Sequence, residues 1–256
     1  MKYTVSYSCL SHVGRVRSKN QDNYYCAGAV RPLCETSPEP VIGRVSPKNE
    51  VLFAVFDGMG GEEKGEVASL IAAGCAENMT VRDDTVTALS ELCQSANDTV
   101  CAYAAENGGL SMGTTAAMLL FSKDSITLCN IGDSKIFRLS RGKLFQISRD
   151  HLGVSAFGKR PPLLQYLGIS PENLVIEPHF SVGDIVDGDR YLICTDGLTD
   201  HVTPEQIAYI LGGSIEGASG ELVECALKGG GKDNVTVIAL EIRKNKFFDI
   251  FRKGEK

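Results

Sequence analysis

The stretch Val51 to Phe56, VLFAVF, is an unbroken apolar run that stops at Asp57. Glycines follow at 58, 60 and 61, and a charged segment then opens a helical pattern. Six apolar residues, β-branched and aromatic among them, read as a buried strand. A buried strand that ends on a lone carboxylate among glycines needs a reason for that carboxylate.

The rest of the chain supplies comparable junctions. Thr4 to Leu10 and Asn23 to Ala29 read as strands, and Val30 to Asn49, with prolines at 32, 38, 40 and 47, as an irregular surface insertion. Two helices follow Asp57. The first puts Val67, Leu70, Ile71, Gly74 and Cys75 on one apolar stripe. The second puts Val86, Leu89, Leu92, Cys93, Ala96, Val100 and Tyr103 on another and stops at Asn107-Gly108-Gly109. Short strands fit Thr114 to Phe121, Ser125 to Ile131, Lys135 to Leu139 and Leu144 to Ile147. An irregular stretch from Asp150 to Asp189 leads to a strand at Arg190 to Thr195. Helices at Pro204 to Leu211 and Ser219 to Leu227 precede a last strand, Asn234 to Ile242. Strands, a helix pair, strands and helices again predict sheets covered by helices and not a βαβ repeat.

Asp57, Asp133 and Asp196 each follow a strand, and Asp22 and Asp233 each precede one. In antiparallel sheets the end of one strand neighbours the start of the next. The five carboxylates are therefore expected on one rim. For any one of them a turn or N-cap role suffices; five in this arrangement ask for cations to offset their repulsion. All-oxygen ligands select hard ions, Mg²⁺ or Mn²⁺.

The net charge of −6 and pI of about 5.3 argue against a general nucleic-acid binder. Nine cysteines form no CxxC pair, which argues against a zinc ribbon; they read as buried free thiols in a reducing cytosol. No apolar run approaches the roughly 20 residues of a membrane helix, and the first residues lack a signal-peptide core.

Seven segments in order carry a resemblance: GRVRSKNQDNYY (Gly14 to Tyr25), VFDGMGG (Val55 to Gly61), MGTTA (Met112 to Ala116), IGDSKIF (Ile131 to Phe137), SRDH (Ser148 to His151), LICTDGLTD (Leu192 to Asp200) and GGKDNVTVI (Gly230 to Ile238). Together they resemble the metal-dependent serine/threonine protein phosphatases of type 2C, in their compact bacterial form. The resemblance implies an α+β fold, a four-layer α-β-β-α sandwich of two mostly antiparallel sheets flanked by helix pairs. One phosphatase domain would span 1–243, with a basic aromatic tail at 244–256. It implies hydrolysis of phosphoserine and phosphothreonine on proteins, with two or three Mn²⁺ or Mg²⁺ ions and a metal-bridged hydroxide attacking in line in a single step. Asp57 would bridge two metals, with the Gly58 carbonyl on the second. Asp196 and Asp233 would complete the first, Asp22 would hold metal-bound water, and Asp133 would help a third. Arg17 would grip the phosphate, Asn234 would support Asp233, and Thr114 and Thr115 would pack near the site. The partners would be phosphoproteins made by a serine/threonine kinase. The protein would be a cytoplasmic monomer with no nucleic-acid partner and no transmembrane segment.

The chain departs from the family pattern at Gln21, Met59, Lys135 and Thr195, where Glu, His, Arg and Ser are frequent. The His151 to Leu167 flap is short and stiffened by Pro161-Pro162. Other readings compete. Cys9 to Arg15 has the Cys-x5-Arg spacing of thiol phosphatases, but no helix pattern follows to depress a thiol pKa. A phosphoprotein-binding domain without hydrolysis would lack metal carboxylates, yet Asp57, Asp196 and Asp233 are all present. His151, adjacent to Asp150, reads as a structural hydrogen-bonding residue.

Overall fold

The computed structural model describes residues 3–32, 38–60, 64–155 and 161–245. In chain order its elements are β1 (Tyr3–His12), β2 (Asp22–Cys26), β3 (Ala29–Val30), β4 (Val41–Val45), β5 (Val51–Met59), α1 (Gly65–Glu77), α2 (Thr85–Glu106), β6 (Gly113–Thr114) and β7 (Ala116–Phe121). There follow β8 (Ser125–Ile131), β9 (Lys135–Ser140), β10 (Lys143–Gln146), β11 (His179–Asp184), β12 (Arg190–Cys194), α3 (Asp196–Thr199), α4 (Pro204–Leu211), α5 (Ile215–Lys228) and β13 (Val235–Lys244).

The strands form two antiparallel sheets. One runs β10-β9-β12-β13-β1-β4; the other runs β11-β8-β7-β5-β2-β3, with β6 paired to β5. The unbroken apolar run of β5 is explained by cover on both faces. Phe53 and Val55 point into the core between the sheets. Leu52, Ala54 and Phe56 point to the layer beneath α1 and α2. On the other sheet, Ile238, Leu240 and Ile242 face the inter-sheet core. Val235, Val237 and Ala239 face α4 and α5. The result is the α+β, four-layer sandwich that the sequence implied.

Three expectations change. The proline-rich insertion contains β4, and the stretch from Asp150 to Asp189 contains β11. Both are edge strands with exposed or half-buried residues, so they carry little apolar signal. On α1 the face against the sheet is Ala68, Ser69, Ala72, Ala73 and Ala76, not the bulkier stripe. Small side chains let that helix approach the sheet closely, while Val67 and Ile71 turn toward Val100 and Tyr103 of α2.

The eight described cysteines are free thiols, five of them buried. Cys9 lies in mid-strand in the inter-sheet core, which rules out the thiol-phosphatase loop. No helix among the described residues is long and apolar enough to cross a membrane. β13 continues to Lys244, opposite Tyr3. The aromatic part of the tail, from residue 246 on, lies outside the described residues, as does Cys34.

Candidate active site

Strand register decides which ends meet. His12 pairs with Val235, Cys194 with Val237 and with Lys135, Asp22 with Asp57, and Ala116 with Ile131. The end of β1, the start of β13, the end of β12 and the start of β9 therefore share one edge of the first sheet. The start of β2, the end of β5, the start of β7 and the end of β8 share one edge of the second. The two edges are tied together by Asp22. Its Oδ2 accepts hydrogen bonds from the hydroxyls of Thr195 (2.9 Å) and Thr236 (2.7 Å), both from the first sheet's end. Asp22, Asp57, Asp133, Asp196 and Asp233 all stand at this common end.

Asp22 is 1% exposed. Burial pushes its carboxyl up to about 6; the two hydroxyls pull the other way, and Asp233 adds to the rise. Arg31, itself buried, lowers it. The Arg31 Nε donates to the Asp22 carbonyl (2.9 Å) and Nη2 to the Asn20 carbonyl (3.0 Å), so this side chain braces the start of β2.

Asp57 is held through its backbone. Its N–H donates to the Thr115 hydroxyl (3.2 Å), and its carbonyl accepts from Thr114 Oγ1 (3.0 Å) and the Thr115 N–H (2.9 Å). Thr115 Oγ1 also bonds Ser134 Oγ (2.7 Å), next to Asp133. Gly58 donates its N–H to the Gln21 carbonyl (3.1 Å). A Cβ on Gly58 would sit 2.1 Å from the Gly65 carbonyl oxygen, so only glycine lets α1 begin this close to the strand end.

Asp196 opens α3 and is 8% exposed, as is Asp133. Gly197 lies against the next loop: a Cβ there would be 3.5 Å from the Asp233 Cβ and 1.9 Å from the Asn234 carbonyl oxygen. Arg17, 53% exposed, reaches Asp233 with an Nη2–Oδ2 distance of 2.8 Å. Its pKa is raised, chiefly by that hydrogen bond and charge and also by the charges of Asp57 and Asp22. The guanidinium thus pairs with one of the five carboxylates and feels the charge of two more.

Two further side chains act as fasteners. Asn234 Oδ1 accepts from the Gln21 N–H (2.8 Å), and Nδ2 donates to the carbonyls of Val13 (2.8 Å) and Lys19 (2.9 Å). That one side chain clamps both ends of the loop carrying Arg17. His151 Nδ1 accepts from the Gly132 N–H (3.1 Å), and Asp150 pairs with Lys135. Together they hold the Asp133 turn, the structural role expected of His151.

These donors are carboxylates and carbonyls, the ligand chemistry of hard divalent ions. Among the described residues no three His, Cys, Asp or Glu side chains form a single ligand cluster. The carboxylates stand instead as neighbours, Asp22 opposite Asp57 and the Asp196-Gly197 corner against Asp233. An ion that keeps several waters needs only one or two carboxylates, so this donor set fits Mg²⁺ or Mn²⁺.

Comparison with known proteins agrees. The family model for protein phosphatase 2C matches residues 42–228. The serine/threonine protein phosphatase PstP of Mycobacterium tuberculosis is 31% identical over 92% of this chain, which spans 45% of that relative's length. The serine/threonine phosphatase stp of Listeria welshimeri is 27% identical, covering 89% of this chain and 92% of the relative. The crystal structure of the PstP catalytic domain in complex with two manganese ions superimposes with a TM-score of 0.76 at 29% identity, over 94% of this chain and 99% of that one. The chain belongs to the protein phosphatase 2C family.

Proposed function

We propose that this chain hydrolyses phosphoserine and phosphothreonine monoesters on proteins, as a cytoplasmic monomer reversing a serine/threonine kinase. The observation that carries the reading is Arg17, exposed at the common strand end and paired with Asp233 (2.8 Å). A cation beside acidic side chains in an open rim suits a dianionic phosphate that arrives with divalent metal.

On this reading Asp57, Asp196 and Asp233, with the Gly58 carbonyl, would hold two Mn²⁺ or Mg²⁺ ions. Asp22 would orient water from within the rim, and Asp133 would assist a third ion. When bound, such ions neutralise phosphate charge as Lewis acids and lower the pKa of water toward neutrality. The chain's own work is positioning. Thr114 and Thr115 fix the Asp57 backbone, Asn234 fixes the loop bearing Arg17, and His151 fixes the Asp133 turn. The planar guanidinium of Arg17 matches two phosphate oxygens once it swings from Asp233 to the substrate. Phosphoryl transfer depends mostly on such positioning and on charge, so a single displacement at phosphorus needs no covalent phosphoenzyme.

The test is turnover of a phosphothreonine peptide and an aryl phosphate with Mn²⁺, with Mg²⁺ and in chelator, for the parent chain and for Asp57→Asn. Metal-dependent turnover that Asp57→Asn removes is expected. Turnover that survives both chelation and Asp57→Asn sinks the reading, and phosphopeptide binding without turnover makes the chain a binding domain. Arg17→Lys is expected to raise KM more than it lowers kcat, because it keeps the charge and loses the fork.

A further inference from the structure

The outer helix pair carries a groove whose lining includes none of the rim aspartates. A cavity of about 480 Å³ is lined by Tyr209 and Ile210 of α4 and Cys225 of α5, with Glu205, Glu221 and Glu224 around them. Tyr209 is 82% exposed, a large ring left on the surface. Glu224 is met by Lys228 one turn along the same helix (2.7 Å), which leaves the groove with an apolar floor and an acidic surround. That combination fits an amphipathic segment with aromatic residues on one face and cations on the other.

The chain contains such a segment. Residues 246–256, KFFDIFRKGEK, carry Phe247, Phe248, Ile250 and Phe251. They hold four cations, Lys246, Arg252, Lys253 and Lys256, against Asp249 and Glu255. At helical spacing Phe247, Ile250 and Phe251 share one face. The described chain also ends in a suitable place. β13 runs away from the carboxylate rim toward Lys244. The α4–α5 turn lies at this same end, because Arg190, the register partner of Glu241, donates to the carbonyls of Leu211 and Gly213. Ile210, at the near end of the groove, directly precedes Leu211. Eleven further residues reach up to about 36 Å extended, or about 16 Å as a helix.

We propose that residues 246–256 dock in the α4–α5 groove of their own chain. Phe247, Ile250 and Phe251 cover Tyr209 and Ile210, and the basic side chains lie toward Glu205 and Glu221. This inference does not depend on the phosphatase reading.

Hydrogen–deuterium exchange on the full chain tests it from both sides. In Phe247→Ser/Phe251→Ser, amides of α4 and α5 along the groove should exchange roughly threefold to tenfold faster, the size of a lost aromatic contact. In Tyr209→Ala, which alters only an exposed ring, the amides of residues 247–251 should speed up to the same degree. Core amides of β5 should be unchanged in both, which shows that the variants are folded. Salt of about 0.5 M should weaken the protection in the parent chain. Unchanged groove exchange in the tail variant overturns the proposal. So does protection that grows with protein concentration, which assigns the groove to a second copy's tail. Unchanged groove exchange with tail-dependent co-sedimentation on phosphatidylserine vesicles also overturns it, and assigns the tail to an anionic surface.

Discussion

Asp22 and Asp57 stand directly opposite each other on β2 and β5, the last paired positions of that ladder. Like charges opposite one another in a sheet destabilise it. A fold that keeps two carboxylates there spends stability on the pair. Asp57→Asn should therefore stabilise the protein by about 0.5–1 kcal/mol in chelator at pH 8, seen as a Tm higher by a few degrees. The same substitution should abolish metal-dependent turnover. A variant that loses both activity and stability would show Asp57 to be a structural residue.

Asn234 is the cheapest place to loosen Arg17 without touching it. Three hydrogen bonds from one buried side chain hold Val13, Lys19 and Gln21. Asn234→Ala leaves those backbone groups unmet and should cost about 1–3 kcal/mol in urea unfolding. It should also raise KM for a phosphopeptide, because the loop no longer presents Arg17 in one place. A large stability loss with unchanged KM would separate the clamp from phosphate binding.

The strand-end aspartates were legible because they interrupt apolar runs, and antiparallel pairing makes such interruptions coincide. The layers were legible because strands, a helix pair, strands and helices follow one another, an order that fits sheets covered by helices; the two-faced burial of β5 and β13 bears this out. The edge strands β4 and β11 were not, since a strand with one open side and exposed residues has no run to detect. The sheet-facing surface of α1 was hidden for the opposite reason. Alanines rank low in an apolar pattern but are what a close helix requires. Arg31 gave no signal at all. A buried arginine before a proline looks like a surface loop residue until its three backbone carbonyl acceptors, on Asn20, Asp22 and Pro32, are seen.

His151 gives the fold a pH dependence. Burial lowers its pKa from the ordinary 6.5, and Arg149 and His179 add to this; the Gly132 contact and Asp150 oppose it. A histidine whose folded pKa is depressed favours the folded state fully above pH 6.5 and loses that contribution as pH falls from there toward the folded value. His12 is lowered as well, so the slope is shared. His151→Asn keeps an acceptor near the Gly132 N–H but cannot titrate. Urea midpoints for this variant should fall less between pH 7.5 and 5.5 than those of the parent chain. An equal fall in both assigns the slope to His12 or to carboxylates.

Phe53 tests the inter-sheet core separately from the site. It is fully buried, 5.3 Å from the ring of Tyr7 and 5.7 Å edge-on to Phe121, which in turn meets Tyr191 at 6.3 Å. Phe53→Ala removes the ring that joins these residues across the two sheets. It should cost about 3–5 kcal/mol, a large part of the 5–15 kcal/mol that typically holds such a domain. The urea midpoint should drop while the slope of the transition stays the same, because the surface exposed on unfolding hardly changes. Asp57 lies four residues further along β5 and is pinned by Thr114 and Thr115 rather than by the core. Turnover per folded molecule at low temperature should therefore stay close to that of the parent chain. A loss of activity in protein shown to be folded would mean that strain in the inter-sheet core reaches the carboxylate rim through β5.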